Sequence, residues 1–278
     1  QRYICVSRPR RFGKSMAANM LVAYYSKGCD SKELFENFKI ADDSSFKEHL
    51  NKYNVIHLNI QQFLGRTETI HEMLELLSRK VTRELKREFA DVTYYEEDLV
   101  SVIEEIYAQT HSFFVFIIDE WDFVFREYPN NSNLHENFIN LLRALFKGVG
   151  ENFVELVYMT GILPIARYNT QSALNNFNEY TILKSSNYSQ YYGFTENEVK
   201  TLCEKYQLDF ETAKFWYNGY KVGEYEIYNP NSIKKLITRR EFQSYWSYTS
   251  AYGIVTEAIN LNFEGLKDDI IKLCSGSA

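Results

Sequence analysis

The chain has 278 residues, of which 45% are hydrophobic and 24% charged, with a formal net charge of −6. That length holds one large or two modest domains with a sizeable core, and that balance excludes a disordered, collagen-like or repeat-biased polypeptide. The acidic charge argues against coating nucleic acid by bulk charge, while a local basic site stays open.

Residues 2–7 (RYICVS) are the first strand candidate, followed by a turn containing Pro9 and three arginines, and then Gly13, Lys14 and Ser15. A helical pattern runs from Met16 to about Ser26. Residues 54–60 (NVIHLNI) alternate as a strand does. Over 67–89, Ile70, Met73, Leu74, Leu77, Val81, Leu85 and Phe89 recur at three and four, the spacing of a long amphipathic helix. Another helix is expected over about 96–110. Residues 113–118 (FFVFII) are apolar on both faces, which suits a central parallel strand covered above and below. That strand runs directly into Asp119, Glu120, Trp121 and Asp122. A helix over 134–146, a buried strand over 153–159 (FVELVYM) ending at Thr160 and Gly161, and a last strand over 180–183 follow. This alternation indicates an α/β domain with a parallel sheet flanked by helices.

Beyond about residue 185 the character changes. Thr195 and Glu198 form a capping box that opens a helix to about Tyr206, residues 210–217 suit a second helix, and 218–229 read as a turn or hairpin. Helical patterns resume near 232–240 and from about 252 onward. The expected organisation is an α/β domain over 1–185 and a smaller, mainly helical lid or accessory region over 186–278. The opening on Gln1 within a strand-like segment predicts a chain cut at both ends. Four cysteines without a C-x-x-C pair indicate neither a zinc ribbon nor a disulfide framework. The longest apolar run is too short for a membrane span and no signal segment opens the chain, so a cytoplasmic location without a membrane partner is expected.

Arg8 to Ser15 (RPRRFGKS), lying between a strand and a helix, form the leading chemical constellation. In a phosphate-binding loop the backbone N–H groups and the helix N-terminus face the phosphates, the lysine reaches their oxygens, and the hydroxyl holds Mg²⁺. Gly13, Lys14 and Ser15 fit those roles, with Arg10, Arg11 and Phe12 completing the loop. Arg10 and Arg11 either add charge beside the phosphates or contact another chain or nucleic acid. Arg8 stands where the general pattern G-x-x-x-x-G-K-[ST] has its first glycine, so this Walker A motif is degenerate. Asp119 and Glu120 have the form of a Walker B motif: Asp119 would orient the Mg²⁺ shell, and Glu120 would orient or deprotonate the attacking water. An exposed pair of acids at a helix start is the competing reading. Thr160 stands where a polar group could approach the γ-phosphate, or simply ends its strand. Arg167 is the first candidate for charge stabilisation in catalysis, ahead of Arg126 and Arg143.

SRPRRFGKS (7–15), FIIDEWD (116–122), YMTGILPIA (158–166), LNNF (174–177), YYGFTENEV (191–199), WYNGYKVG (216–223), IYNPNSI (227–233) and YW…TSA (245–251) together resemble the AAA-ATPase-like family. Arg8 matches that family's own R-P-R-R-F-G-K-S form. The resemblance implies a P-loop ATP-binding module with a strand inserted between the phosphate-loop strand and the Asp-Glu strand, often preceding a PD-(D/E)XK nuclease domain. Such a nuclease needs a strand-borne Glu-x-Lys, whereas Glu84-Leu85-Lys86 and Glu198-Val199-Lys200 lie in helical patterns, so no nuclease centre is expected within these residues.

The basic cluster Arg79, Lys80, Arg83, Lys86 and Arg87 is interleaved with acids and reads as a solvated helix face. Packing of the second region is the expected use of Phe215, Trp216, Tyr217 and Tyr220. The leading expectation is an Mg²⁺-dependent ATP-binding domain that hydrolyses ATP slowly and couples nucleotide state to an effector or partner, an absent nuclease domain or an oligomer among them. The alternatives are a non-hydrolysing nucleotide-gated regulatory module and a nucleic-acid-binding interaction protein.

Overall fold

The computed structural model describes residues 1–64, 70–165, 174–184 and 186–245. Five strands form one sheet: β1 (Tyr3–Ser7), β2 (Asn54–Asn59), β3 (Phe114–Asp119), β4 (Val154–Gly161) and β5 (Asn178–Tyr180), in the order β2-β3-β4-β1-β5. Every neighbouring pair runs parallel. β4 thus separates the strand feeding the phosphate loop from the strand ending in Asp119, which is the inserted-strand order that the resemblance implies. Register aligns Asn59 with Asp119, Asp119 with Thr160, and Ser7 with Gly161, so four strands end at one level. Ligands of open α/β sheets bind at that carboxyl edge.

All six residues of β3 are buried, as its unbroken apolar run requires. Phe114, Phe116 and Ile118 face the larger core, built from α5 (Ile70–Glu88), α6 (Leu99–Thr110) and α8 (Ser132–Phe146). Val115 and Ile117 face the other side, where Val6 and Tyr158 join Ala18 of α1 (Lys14–Tyr25). The strand's period-two alternation thus glues helices to both faces of one sheet. Short helices α2 (Lys32–Phe35) and α3 (Phe46–His49) close over Tyr24 of α1 in a small aromatic cluster with Phe35 and Phe46, and α4 (Ile60–Leu64) follows β2 directly. α7 (Phe123–Glu127) turns the chain back after β3. The predicted strand over 180–183 sits two residues earlier: Thr181 N–H donates to the Lys184 carbonyl (3.1 Å), so the chain is already in a turn there.

From residue 186 the chain adds helices α9 (Glu196–Tyr206), α10 (Phe210–Tyr217) and α11 (Pro230–Arg239) and a three-stranded antiparallel sheet. That sheet comprises β6 (Phe194–Thr195), β7 (Asn218–Val222) and β8 (Tyr225–Tyr228), in the order β6-β8-β7. The expected capping box is present, Thr195 and Glu198 exchanging side-chain and backbone hydrogen bonds, and the expected hairpin is β7–β8. Val199, Cys203, Ala213, Tyr217, Tyr228, Ile233 and Leu236 form a separate core. Phe215 and Trp216 do not join it: they are 84% and 44% exposed, which corrects the packing role expected of them. Helix α10 is only two turns long and buries one face, through Ala213 and Tyr217. The helical pattern expected from residue 252 lies outside the described residues. No helix among the described residues is long and apolar enough to cross a membrane.

Candidate nucleotide-binding site

β1 delivers the chain to the loop, and the Arg8 N–H still donates to the Gly161 carbonyl (3.1 Å), continuing the sheet by one bond. Arg11 (φ 70°) and Gly13 (φ 85°) then take left-handed conformations, and Gly13 is the residue before the first turn of α1. Gly13 adopts that geometry without the Cβ penalty, and it carries no side chain to cap the helix, so the first turn's N–H groups face outward. A helix start of this kind attracts anions through its dipole and its free donors.

The loop opens onto a cavity of 840 Å³ walled by Arg10, Arg11, Gly13, Lys14 and Ser15, by Gln61 of α4, by Glu120, Phe123 and Arg126, and by Pro230 at the start of α11. That volume falls within the range of about 300–1,000 Å³ typical of small-ligand sites. Lys14 is 4% exposed and its ammonium donates to the Pro9 carbonyl (3.0 Å), folding back on its own loop. Burial lowers its pKa below the ordinary lysine value, against the opposing influence of Glu120, Asp122 and Asp119. A buried ammonium held by a neutral carbonyl is poised for an anion.

Of the residues singled out from sequence, Arg10, Arg11, Gly13, Lys14, Ser15 and Glu120 therefore share one cavity. Asp119 and Thr160 are buried beside them at the strand ends, behind its wall. Asp119 accepts the Glu120 N–H (3.1 Å) on one oxygen and the Asn59 side-chain amide (3.3 Å) on the other. The Phe12 side chain leaves the cavity and is buried between Val222 and Ile227, edge-on to Tyr220 at 4.8 Å, so only its backbone stays with the loop. Arg143 is exposed on α8, and Arg167 lies outside the described residues.

Glu120 holds a left-handed backbone (φ 55°), rare for a residue with a side chain and commonest at functional sites. Its carboxylate pairs with Arg126, and burial raises its pKa above the usual carboxylate value, opposed by Arg126 and Lys14. Asp122, with no exposed surface, accepts the N–H groups of Ile162 (3.0 Å) and Leu163 (2.7 Å) and the Arg126 Nε–H (3.1 Å) on one oxygen. A Cβ on Gly161 would stand 2.7 Å from both Asp122 and Trp121, so glycine there lets the chain after β4 approach this carboxylate.

Arg8 is the largest departure from the general loop pattern and is 1% exposed. Its guanidinium donates to the carbonyls of Ser7 (2.9 Å), Tyr180 (3.0 Å) and Tyr188 (3.2 Å) and lies 5.2 Å from the Tyr192 ring centre. The arginine is thus an internal clamp and no phosphate ligand. Asn59, Gln61 and Asp122 also belong to this neighbourhood and were not singled out from sequence. Asn59 and Gln61 had one available signal, their position at and just after the end of the alternating strand pattern that became β2.

A parallel α/β sheet, a lysine-bearing loop that opens a helix, and an acidic pair at the end of the strand two places away define a P-loop nucleotide-binding domain. The family model described as predicted AAA-ATPase matches residues 1–171, and the chain belongs to this AAA-ATPase-like family. It is similar to an uncharacterized protein in the vnfD 5′ region of Azotobacter chroococcum mcd 1, 24% identical over 258 residues, which cover 88% of this chain and 46% of that protein. The chain therefore spans about half the length of this curated relative. A solved structure, the Aeropyrum pernix ORC1 protein in complex with DNA, aligns with a TM-score of 0.38 at 12% identity, covering 73% of this chain and 43% of that one.

Proposed function

We propose that this chain is an Mg²⁺-dependent ATP-binding domain that hydrolyses ATP slowly and passes its nucleotide state to an effector or partner. The observation that carries the reading is the convergence of a buried, anion-seeking Lys14, the open start of α1 and Glu120 on one cavity of nucleotide size. Residues for the metal fit as well: the exposed Ser15 hydroxyl at the cavity and the Asp119 carboxylate, whose two hydrogen bonds leave lone pairs on both oxygens. Bound Mg²⁺ would neutralise phosphate charge. Lys14 would bind the phosphates, Arg10 and Arg11 would add positive charge at the rim, and Glu120 would take the proton of the attacking water. Thr160 and Arg167 stay proposals of position alone, as does a division of the chain near residue 185 into this domain and an accessory region. The matched stretch is 46% of the relative, and the proposed effector, a nuclease domain included, would lie outside it. The two Glu-x-Lys runs of this chain lie in α5 and α9.

The reading predicts that Lys14→Ala abolishes binding of ATP, and that Glu120→Gln keeps binding while phosphate release falls about 100-fold or more, the usual scale for a general base. Titration with a fluorescent ATP analogue and a phosphate-release assay on wild type and both variants decide it. Binding unaffected by Lys14→Ala would sink the phosphate-loop assignment. The second reading, a non-hydrolysing nucleotide-gated module, is favoured by the pairing of Glu120 with Arg126, and tight binding with no phosphate release in the wild type selects it.

A pH dependence follows. Phosphate is held by the protonated lysine, and burial has already lowered the Lys14 pKa, so ATP affinity should decline as pH rises through a value below the ordinary lysine range. Affinity measured at fixed ionic strength that stays flat into the normal lysine range would contradict this.

A further inference from the structure

We propose that Arg126 reads the terminal phosphate of the bound nucleotide by exchanging one anion for another: without a triphosphate it holds Glu120, and with one it turns to the phosphate and frees Glu120. The inference rests on the ATP-binding reading above and adds to it a sensing residue and a control on turnover. Three observations carry it. Arg126 belongs to the cavity wall that also includes Lys14 and Ser15, yet its side chain is only 5% exposed and is occupied by two carboxylates. Its Nε–H is fixed on Asp122, which is itself held by two backbone N–H groups, so the guanidinium has an anchored side and a side that reaches Glu120. Glu120 is the more exposed member of its pair, at 19%, and is the partner that can leave.

Charge favours the exchange. Around Lys14 the structure gathers Glu120, Asp122 and Asp119 against one further cation, Arg126. Arg10 and Arg11 stand on the wall of the same cavity, so the anion that an incoming phosphate must displace is the one already on Arg126, the Glu120 carboxylate. A terminal phosphate that takes over the free side of Arg126 replaces that carboxylate in the planar fork, a geometry guanidinium offers equally to carboxylate and phosphate. ADP, which lacks the terminal group, leaves the Arg126–Glu120 pair closed. Glu120 then becomes available for water only when a substrate is present.

The test compares the affinity of a non-hydrolysable ATP analogue with that of ADP in wild type, Glu120→Gln, Arg126→Lys and the double variant, each verified as folded by its melting curve. Glu120→Gln removes the competing charge without touching Arg126, so it should raise affinity for the triphosphate about tenfold relative to ADP, a change of about 1.4 kcal/mol in the difference between them. Arg126→Lys keeps a charge for Asp122 but cannot serve two anions through a planar fork, so it should lower triphosphate affinity about tenfold with ADP unchanged. In the double variant the gain from Glu120→Gln should vanish. An ATP-to-ADP affinity ratio equal in all four proteins, with Lys14→Ala still abolishing both affinities, overturns the exchange and leaves the ATP-binding reading intact. Binding that survives Lys14→Ala overturns the reading beneath it.

Discussion

Arg8→Gly, which installs the residue of the general phosphate-loop pattern, is expected to destabilise this protein and empty the site. The guanidinium is buried and serves three backbone carbonyls at once, on Ser7, Tyr180 and Tyr188. Glycine takes the guanidinium donors from those acceptors, of which Tyr188 keeps the Tyr191 N–H (3.4 Å), opens a cavity against Tyr192 and loosens the chain at the root of the loop. Leaving a buried acceptor short of its donor costs about 1–3 kcal/mol, so the summed loss should be about 3–5 kcal/mol, which for a chain of this size lowers the melting temperature by roughly 10 °C. Arg8→Met, which restores apolar bulk without the donors, should recover only the packing part. Denaturant titration of the three proteins measures it, and a glycine variant within about 0.5 kcal/mol of wild type would show the clamp to be idle.

Asp122→Ala is expected to be comparably severe, with a different signature. The carboxylate has no exposed surface and joins the two N–H groups after β4 to the guanidinium of Arg126. Alanine leaves two N–H donors unpaired and Arg126 with one carboxylate in place of two, a loss of about 3–5 kcal/mol. Asp122→Asn keeps an acceptor for the loop while removing the charge, and should lose about 1–2 kcal/mol. The ranking Ala worse than Asn, read from unfolding midpoints, separates the loop-holding part of the carboxylate from its ion pair. Equal losses would mean that the charge alone matters.

The contrast between these two residues shows where sequence reading reaches. FFVFII declares a central strand because both faces must be apolar, and Asp119 and Glu120 declare an edge because two acids cannot follow such a strand into a core. Gly13, Lys14 and Ser15 are legible because the phosphate cradle is local, made by consecutive residues at one helix start. Arg8 resembles a defect in the motif when read locally. Its function is visible only in the fold, because two of the three carbonyls it serves lie 172 and 180 residues away along the chain. Asp122 is hidden for the same reason, its loop partners lying 40 and 41 residues further on. The early end of β5 follows this logic as well, since the Tyr180 carbonyl goes to Arg8 and the next residue is already turning. Phe215 and Trp216 mislead in the opposite direction: an aromatic run predicts a core, but a two-turn helix covers only one of its faces.

The seating of Phe12 between Val222 and Ile227 carries a consequence for the order in which the protein matures on the ribosome. The phosphate loop is translated long before its supports, since the clamp at its root waits for Tyr188 and the socket for its crest waits for Ile227. At synthesis rates of roughly 5–20 residues per second the interval is about 10–40 s. During it the nascent chain can pair β1 with no completed sheet and has no finished cradle to offer a nucleotide. Capture of a nucleotide thus becomes a late event, and a chain released before residue 227 carries the entire RPRRFGKS motif without the fold that gives it an address.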